Sequence, residues 1–395
     1  MKNEIKILFV FALITRLIFA PLFYHPDIKS QNFHFQFLSQ GKVNIYQFID
    51  ENKQNLPYRD TFNYLPLTYL GFGSGQILLR PLLPRDFFTW LNDWGPSQNN
   101  YPNLFYYMLI LKLPYIFFDL GIGYLLYKLY GKKISTIWLF NPLSLYLIYV
   151  LANFDIVPVF FSFLSFYLLQ KSKNTLAFIF LGVATALKLY PLLFFPFFIF
   201  YHPTNIKKII NNTFALFLPL IISILPFVFN HFFIQSFSGS GLSQKILEVK
   251  YMSIPLYPLI YLIILLKYFF SKNKNLEKSF LWLFLAFIVL VNFHPQWLLW
   301  FLPFILLPIS KTRINTIIFM IIISLSLLYV ILINDQYLFW GHLIPINFDF
   351  INLTSPYQIL VQRFYQKPEL IQQQLKTLIA ILSLSFILPL RDKNN

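Results

Sequence analysis

The sequence predicts an all-α integral membrane protein with about twelve transmembrane helices, and three features lead to this fold class. Of its 395 residues, 57% are hydrophobic and 12% are charged, whereas soluble domains carry about 25% charged residues. Aromatic residues make up 21%, which suits helices whose rings lie at the lipid headgroups. The apolar residues form long runs between short basic loops, and a membrane helix needs roughly 20 of them. We expect one membrane domain over residues 1–395.

The net charge of +16 would suggest nucleic acid binding in a soluble protein. Here most of the Lys and Arg residues fall in short loops between apolar runs, where they act as orientation signals. The sequence contains no Cys, which excludes disulfide bonds and Cys-ligated metals.

Twelve apolar runs are predicted to be spans. Three of them, 175–188, 190–201 and 297–309, are short for a full crossing, so we expect broken or tilted helices there. The predicted spans lie near residues 7–24, 103–130, 134–150, 156–170, 175–188, 190–201, 209–229, 254–270, 279–292, 297–309, 314–332 and 371–390.

The distribution of Lys and Arg predicts the orientation. With the N-terminus inside, the inner loops are strongly basic and the outer loops nearly neutral, so both termini are predicted to be cytoplasmic. Three outer segments are long: 25–102, 230–253 and 333–370. The first contains the apolar stretch 61–79, which predicts interfacial or re-entrant helices. Long structured loops are usually functional, so we expect the active site on the extracytoplasmic face.

Four ionisable residues lie within predicted spans, where charge is costly and marks a candidate functional site. Lys112 and Asp119 are two helical turns apart and share one face; they are either a functional pair or a structural pair between helices. Arg16 either extends its side chain outward or binds a phosphate or Asp27. Lys188 either extends outward in the same way or neutralises a lipid phosphate beside the helix break at Pro191.

Two polar clusters stand at predicted outer helix ends. The first is ANFDI, with Asn153 and Asp155, and the second is NFHPQW, with Asn292, His294 and Gln296. His294 has no second His or carboxylate at metal-ligand spacing, so the pattern favours hydrogen bonding to a sugar or phosphate over metal ligation.

Asp27 directly follows the first span, in YHPDIKSQNFHF. Pro26 favours a turn there, which predicts a carboxylate at the membrane boundary, at the start of the longest outer loop. A carboxylate in that position is well placed to take a proton from a hydroxyl group, although a lone Asp in a loop is more often unremarkable.

Six segments together resemble the GT-C superfamily of membrane glycosyltransferases, in particular the catalytic subunits of GPI mannosyltransferase I and their prokaryotic polyprenol-dependent relatives. The resemblance runs from about residue 10 to about residue 310, and each motif alone is weak. In chain order the segments are HPDIKSQNFHFQFLSQGKVNIYQF, FNYLPLTYL, LKLPYIFFDLG, FNPLSLYLIYVLANFDIV, GVATALKLYPLLFFP and HPQWLLWFLPFILLP.

The sequence departs from this family in the first outer loop, which usually carries an Asp-x-Asp pair. Asp27 matches the first Asp, but Lys29 stands at the second position. One carboxylate beside a Lys is a poor metal site. We therefore expect no cofactor, with a divalent metal possible but not favoured: either the enzyme needs no metal, or Lys29 itself faces the phosphate.

The resemblance implies a fold with a GT-C-like first loop and an inverting transfer of a hexose, with mannose favoured, from a polyprenyl-phosphate donor to an acceptor hydroxyl on a lipid or glycan. Asp27 would be the catalytic base. The expected phosphate-binding residues are Lys188, Arg16, Arg363 and His294. The expected substrate-binding residues are Lys29, His25, Asp155, Asn153, Gln296 and Trp297, and Trp90 and Trp94 are further candidates for stacking on sugar rings.

Two other classes remain open at this stage. A polytopic transporter or lipid flippase would share the many spans and the charges within them, but matched halves, which transporters often show, are absent from the sequence. The second class is a catalytically inactive relative or an assembly subunit, which stays open because Lys29 replaces the second Asp of the family motif.

Overall fold

The computed structural model describes residues 2–202, 205–238, 242–364 and 367–386, and α-helices dominate this part of the chain. In the first half, the α-helices are α1 Lys2–Leu22, α2 Pro26–Ser39, α3 Ile45–Asn52, α4 Pro66–Leu79, α5 Phe87–Asn92, α6 Leu104–Tyr130, α7 Lys132–Leu139, α8 Pro142–Leu145, α9 Ile156–Gln170 and α10 Asn174–Leu187.

The second half continues the helical pattern, and its described residues add one short antiparallel pair of strands, β1 Lys250–Tyr251 and β2 Ile254–Pro255. Its α-helices are α11 Phe195–Ile199, α12 Ile206–Ile224, α13 His231–Ser238, α14 Leu242–Leu247, α15 Leu256–Phe270, α16 Leu276–Leu290, α17 Leu302–Ile309, α18 Arg313–Ile331, α19 Pro356–Phe364 and α20 Pro368–Leu384.

Shorter helical turns connect these elements. A π-helix covers Tyr146–Val150, directly after α8. The 3₁₀ turns are Arg80–Leu82, Pro96–Asn99, Tyr190–Phe194, Pro295–Trp300, Gln336–Leu338, Trp340–Leu343 and Phe348–Asn352.

The helical prediction is confirmed, whereas the count of twelve spans stays a prediction. Each predicted span coincides with one or more helices, apart from residues 387–390, which lie outside the described residues. By length and composition, four helices of the described chain can cross a membrane: Asn3–Leu22, Leu104–Tyr130, Ile206–Ile224 and Arg313–Ile331. Large apolar side chains on α1, such as Phe11 at 61% exposure, face outward as lipid contact requires.

The breaks in the apolar runs follow from Pro, as expected. The α10 helix ends at Leu187, and a 3₁₀ turn with Pro191 near its start precedes α11. In the same way, Pro295 begins the 3₁₀ turn that precedes α17. Pro lacks the backbone N–H that a continuous helix needs and its ring clashes with the preceding turn. The predicted short spans 190–201 and 297–309 are therefore broken helices.

Asp119 binds Arg16 rather than Lys112, which corrects the expected pairing on α6. The Arg16 Nε donates to Asp119 Oδ2 at 2.8 Å, and both side chains are fully buried. Trp138 Nε1 and the Tyr149 hydroxyl each donate to the same carboxylate at 2.8 Å. The buried charge is thus paired and hydrogen-bonded, as a low-dielectric site demands, and it ties α1 to α6.

Lys112, on the same face of α6 as Asp119, binds three backbone carbonyls. Its ammonium donates to the carbonyl oxygens of Ala20 at 2.8 Å, Phe23 at 2.6 Å and Tyr149 at 2.7 Å. Ala20 lies in the last turn of α1, Phe23 just beyond it and Tyr149 in the π-helix. Since a Lys ammonium has three N–H donors, this site satisfies all of them and joins two separate segments of chain.

We expect Arg16→Met to destabilise the protein by about 3–5 kcal/mol, because it leaves the Asp119 carboxylate buried without its cation. Unfolding by denaturant titration in detergent measures this change. The matched control is Lys132→Met, which removes a cation from the exposed Lys132–Glu4 pair and should alter stability little. Equal stability of Arg16→Met and the wild type would contradict a structural role for the buried pair.

Candidate functional site

A polar cavity of about 800 Å³ brings together several residues that are far apart in sequence. Among the residues that line it are the sequence-predicted candidates Asp27, Lys188, His25, His294, Gln296 and Trp297. The predicted acid and the predicted cation therefore share one cleft.

Asp27 lies in the first turn of α2, where the helix dipole favours a negative charge. His25 is the N-cap of this helix, and its Nδ1 accepts a hydrogen bond from the Asp27 backbone N–H at 3.2 Å. The Asp27 Oδ2 accepts a hydrogen bond from Asn153 Nδ2 at 3.1 Å. The Asp27 side chain keeps 38% of its surface exposed, so the carboxylate is held on one side and open on the other.

An unusual backbone path brings Asn153 to Asp27. The chain leaves the π-helix Tyr146–Val150 and reaches Ala152, a buried residue with φ of +49°. Residues other than Gly rarely adopt this left-handed conformation, and π-helical turns occur often at functional sites. The two features together turn the chain so that the Asn153 amide meets Asp27.

Lys188 lies at the other wall of the cavity, paired with Asp155. Its Nζ is 2.5 Å from Asp155 Oδ1, and that carboxylate is fully buried. Lys188 caps the C-terminus of α10 in an extended conformation, and the Thr68 hydroxyl of α4 donates to the Leu187 carbonyl beside it. The ammonium lies over the ring of Trp300, 5.5 Å from its centroid.

The Pro295–Trp300 turn supplies the aromatic wall. Trp297 stacks on Trp300 with ring centroids 5.0 Å apart, and Trp300 stacks on Tyr190 at 4.1 Å. His294, just before the turn, packs edge to face on Trp297 at 5.3 Å. Of these stacked rings, Trp297 lines the cavity, and Trp300 and Tyr190 are buried behind it.

The structure does not bring Arg16 or Arg363 to this cavity. Arg16 is enclosed in its ion pair with Asp119, because an extended guanidinium in the membrane layer gains more from a buried carboxylate than from reaching outward. Arg363 is exposed on α19 and does not line the cavity. Their expected role in phosphate binding finds no support in this cavity and stays a prediction.

Lys29 also points away from the cavity, which corrects its expected contact with substrate. Its ammonium is buried, donates to the Asp93 carbonyl, and lies 5.1 Å from the Trp90 ring centroid and 4.8 Å from that of Trp94. Burial lowers the pKa of Lys29 to about 8, although Asp93 opposes the shift. Trp90 and Trp94, suggested as sugar platforms, instead hold this Lys within the first loop.

The residues around Asp27 do not suit a divalent metal. Its near neighbours are the neutral side chain of Asn153 and His25, and Lys29 replaces the second acid. Among the described residues, no group of three or more His, Asp and Glu side chains could hold a metal ion. Metal independence itself stays a prediction.

Sequence reasoning missed three ionisable residues of the cavity wall: Lys245, Asp335 and Glu369. All three lie in long outer segments or at a helix start. Charged residues are common there, so their presence does not indicate a functional site. The predicted outer segments 230–253 and 333–370 contain them, which is the single hint that the sequence offered.

An apolar groove of about 370 Å³ adjoins the polar cavity, and Leu187 lines both. One wall comes from α2 and α4, and the other from α6, α9 and α10. Its polar members Asn32 and Gln76 are hydrogen-bonded to each other at 3.1 Å. The groove is lined by Phe35, Leu67, Gly71, Phe72, Gly75, Leu79, Leu111, Pro114, Phe118, Val157, Phe161 and Val183, among others.

These features define an α-helical protein with membrane-type helices, a polar cavity and an apolar groove that share Leu187 in their linings. Over 171 residues the chain is 28% identical to GPI mannosyltransferase 1 of Saccharomyces cerevisiae (strain ATCC 204508 / S288c). The similarity covers 40% of this chain and 35% of the yeast protein, and it indicates a distant relationship to a mannosyltransferase. No model of a known protein family and no solved structure matches the chain.

Two buried histidines are associated with the helix that carries Asp27: His342 contacts its N-cap, and His34 lies within it. His342 packs on His25 with ring centroids 6.0 Å apart, and burial lowers its pKa to about 3. His34 lies within α2, its Nε2 3.3 Å from the Asp60 carbonyl, and burial lowers its pKa to about 4. Both are neutral at pH 7.

We expect stability to be full above pH 6.5 and to fall as the pH drops from about 6.5 towards 4. The unfolded chain, whose His residues titrate near 6.5, binds more protons than the folded protein in that window. His34 alone contributes on the order of 3 kcal/mol. Denaturant titrations in detergent at stepped pH measure the slope. The slope should be smaller in His34→Gln and unchanged in His231→Gln, an exposed control; a flat profile in the wild type would refute this account.

Proposed function

We propose that this chain is an inverting membrane glycosyltransferase. It moves a hexose, mannose by similarity, from a polyprenyl-phosphate donor to an acceptor hydroxyl on a lipid or glycan. The reaction takes place at the extracytoplasmic face, with both termini in the cytoplasm, and needs no metal. The distant similarity to a yeast mannosyltransferase supports the sugar-transfer class.

One observation carries the proposal: the half-open carboxylate of Asp27 and the ammonium of Lys188 line the same cavity. Asn153 binds the Oδ2 of Asp27, which leaves Oδ1, 3.5 Å from His25 Nδ1, as the oxygen that would meet an acceptor. This is the geometry that a general base needs. A cation in the same cleft suits a leaving group that gains negative charge.

In the proposed step, Asp27 removes the proton of the acceptor hydroxyl while that oxygen attacks the anomeric carbon of the sugar. The bond from the anomeric carbon to the phosphate oxygen breaks, and the polyprenyl phosphate leaves with the electron pair. Because attack and departure occur on opposite faces of the carbon, the configuration inverts. A phosphate is a good leaving group, so no strong general acid is required.

The apolar groove supports a donor with a long hydrocarbon tail. It adjoins the polar cavity at Leu187 and is walled by α6, α9 and α10, which are apolar helices. A polyprenyl chain in this groove would present its phosphate near Lys188, because Lys188 directly follows Leu187. The positions of Gly71 and Gly75 are open, since a Cβ atom at either meets nothing within 4 Å.

We expect Asp27→Asn to keep the fold and to lose about 10²–10⁴-fold in turnover, the usual contribution of a general base. Sugar transfer from a polyprenyl-phosphate hexose to acceptor is measured with purified protein, together with unfolding of the same sample. Asp50→Asn, an exposed acid of the same loop on α3, is the matched control and should remain active. Wild-type turnover in Asp27→Asn would remove Asp27 from this role.

A larger side chain in the apolar groove should raise the KM for donors with a long hydrocarbon tail more than the KM for donors with a short one. In Gly75→Leu the new side chain occupies space that a tail would fill, and each CH₂ excluded from burial costs about 0.8 kcal/mol. We expect the KM for a long-chain donor to rise about tenfold and that for a short-chain donor to change little. Ser74→Leu, on the exposed face of the same helix, is the control. An equal effect on both donors would show that the groove does not hold the tail.

A further inference from the structure

The polar cavity contains two lysines, but only one has a carboxylate partner. Lys188 is bound to Asp155 at 2.5 Å, so the charges of that pair largely cancel. The ion pairs among the described residues do not include Lys245. An anion that enters the cavity therefore meets at Lys245 a positive charge that has no carboxylate in contact.

Lys245 is held in place by neutral groups. Its Nζ lies 2.5 Å from His294 Nε2 and 5.6 Å from the ring centroid of Trp297. Burial lowers the pKa of His294 to about 4, and Lys245 lowers it further, so the imidazole is neutral at pH 7 and accepts a hydrogen bond from the ammonium. One N–H of Lys245 is used in this way, and two remain for a ligand.

The environment of Lys245 disfavours its charge until an anion arrives. Burial lowers the pKa of Lys245, and the more distant Glu248 only partly opposes this. A partly desolvated cation without a carboxylate in contact binds an anion more strongly than a hydrated one, because the lower local dielectric constant strengthens their attraction. His294 also experiences the charges of Asp27 and Lys188, which places the Lys245–His294 pair within electrostatic reach of both.

We propose that Lys245, positioned by His294, binds the phosphate oxygens of a lipid-borne substrate in the polar cavity. This inference rests on the proposed function. Lys245 then acts together with Lys188: Asp155 offsets part of the charge of Lys188, and Lys245 adds a cation that has no carboxylate in contact. Two sources share this chemistry, namely the phosphate of the polyprenyl donor and a phosphodiester of a lipid acceptor.

A binding measurement tests the pair without requiring turnover. Purified full-length protein in detergent is titrated with polyprenyl phosphate and, separately, with phosphatidylglycerol as a phosphodiester lipid. The variants are Lys245→Gln, which removes the charge but retains a hydrogen-bonding group, and Lys245→Arg, which retains the charge. Lys250→Gln, an exposed Lys of the same segment, is the matched control.

We expect Lys245→Gln to weaken polyprenyl phosphate binding about tenfold or more, Lys245→Arg to restore most of it, and Lys250→Gln to match the wild type. Weakened binding of phosphatidylglycerol alone would support the pair as a site for the acceptor phosphate. Unchanged binding of both lipids in Lys245→Gln would overturn the proposal. If the wild type binds polyprenyl phosphate through Lys245 but transfers no sugar, the proposed function fails and the phosphate site stands.

Discussion

The contact between the Lys112 ammonium and three backbone carbonyls is the constraint on which the cavity depends. Two of these carbonyls, of Ala20 and Phe23, belong to the end of α1, and the third, of Tyr149, belongs to the π-helix. The first segment leads directly to Asp27 and the second to Asn153. A buried cation without such partners costs several kcal/mol, so the folded state strongly favours the arrangement in which these segments meet. The hydrogen bond between Asp27 and Asn153 follows from it.

The charges of this protein therefore fall into two groups with different roles. Arg16, Asp119 and Lys112 lie deep between helices, and their partners are all within the protein. The charged side chains of Asp27 and Lys245, in contrast, line the cavity and are accessible to a ligand there. A charge within a span is by default a functional candidate, but here Arg16, Asp119 and Lys112 are buried with partners inside the protein and are structural. The charges that line the cavity are the ones available to a ligand.

Much of the fold could be predicted from the sequence because apolar runs and Pro breaks act locally. The ends of α1, α6 and α10 lie within a few residues of their expected positions. The pairing of Arg16 with Asp119 could not be predicted, since the two residues are 103 positions apart and no local pattern encodes their contact. Asp27 and Lys188 were found because each stands at the edge of an apolar run. Lys245 was missed because it lies in a polar loop, where no neighbouring apolar run distinguishes it from other Lys residues.

Lys29 shows why the position of a residue in a motif does not determine its role. A carboxylate at this position would repel neighbouring Asp93 and could turn to the cavity, whereas the Lys29 ammonium binds the Asp93 carbonyl and lies between Trp90 and Trp94. The aromatic faces stabilise the cation, and the side chain is withdrawn from the site. Asp27 is left without the second acid of the motif, so the first loop offers no pair of carboxylates that could share a metal. A single fixed acid of this kind fits proton removal better than metal binding, and under the proposed function the cations of the cavity would balance the charge on the leaving phosphate.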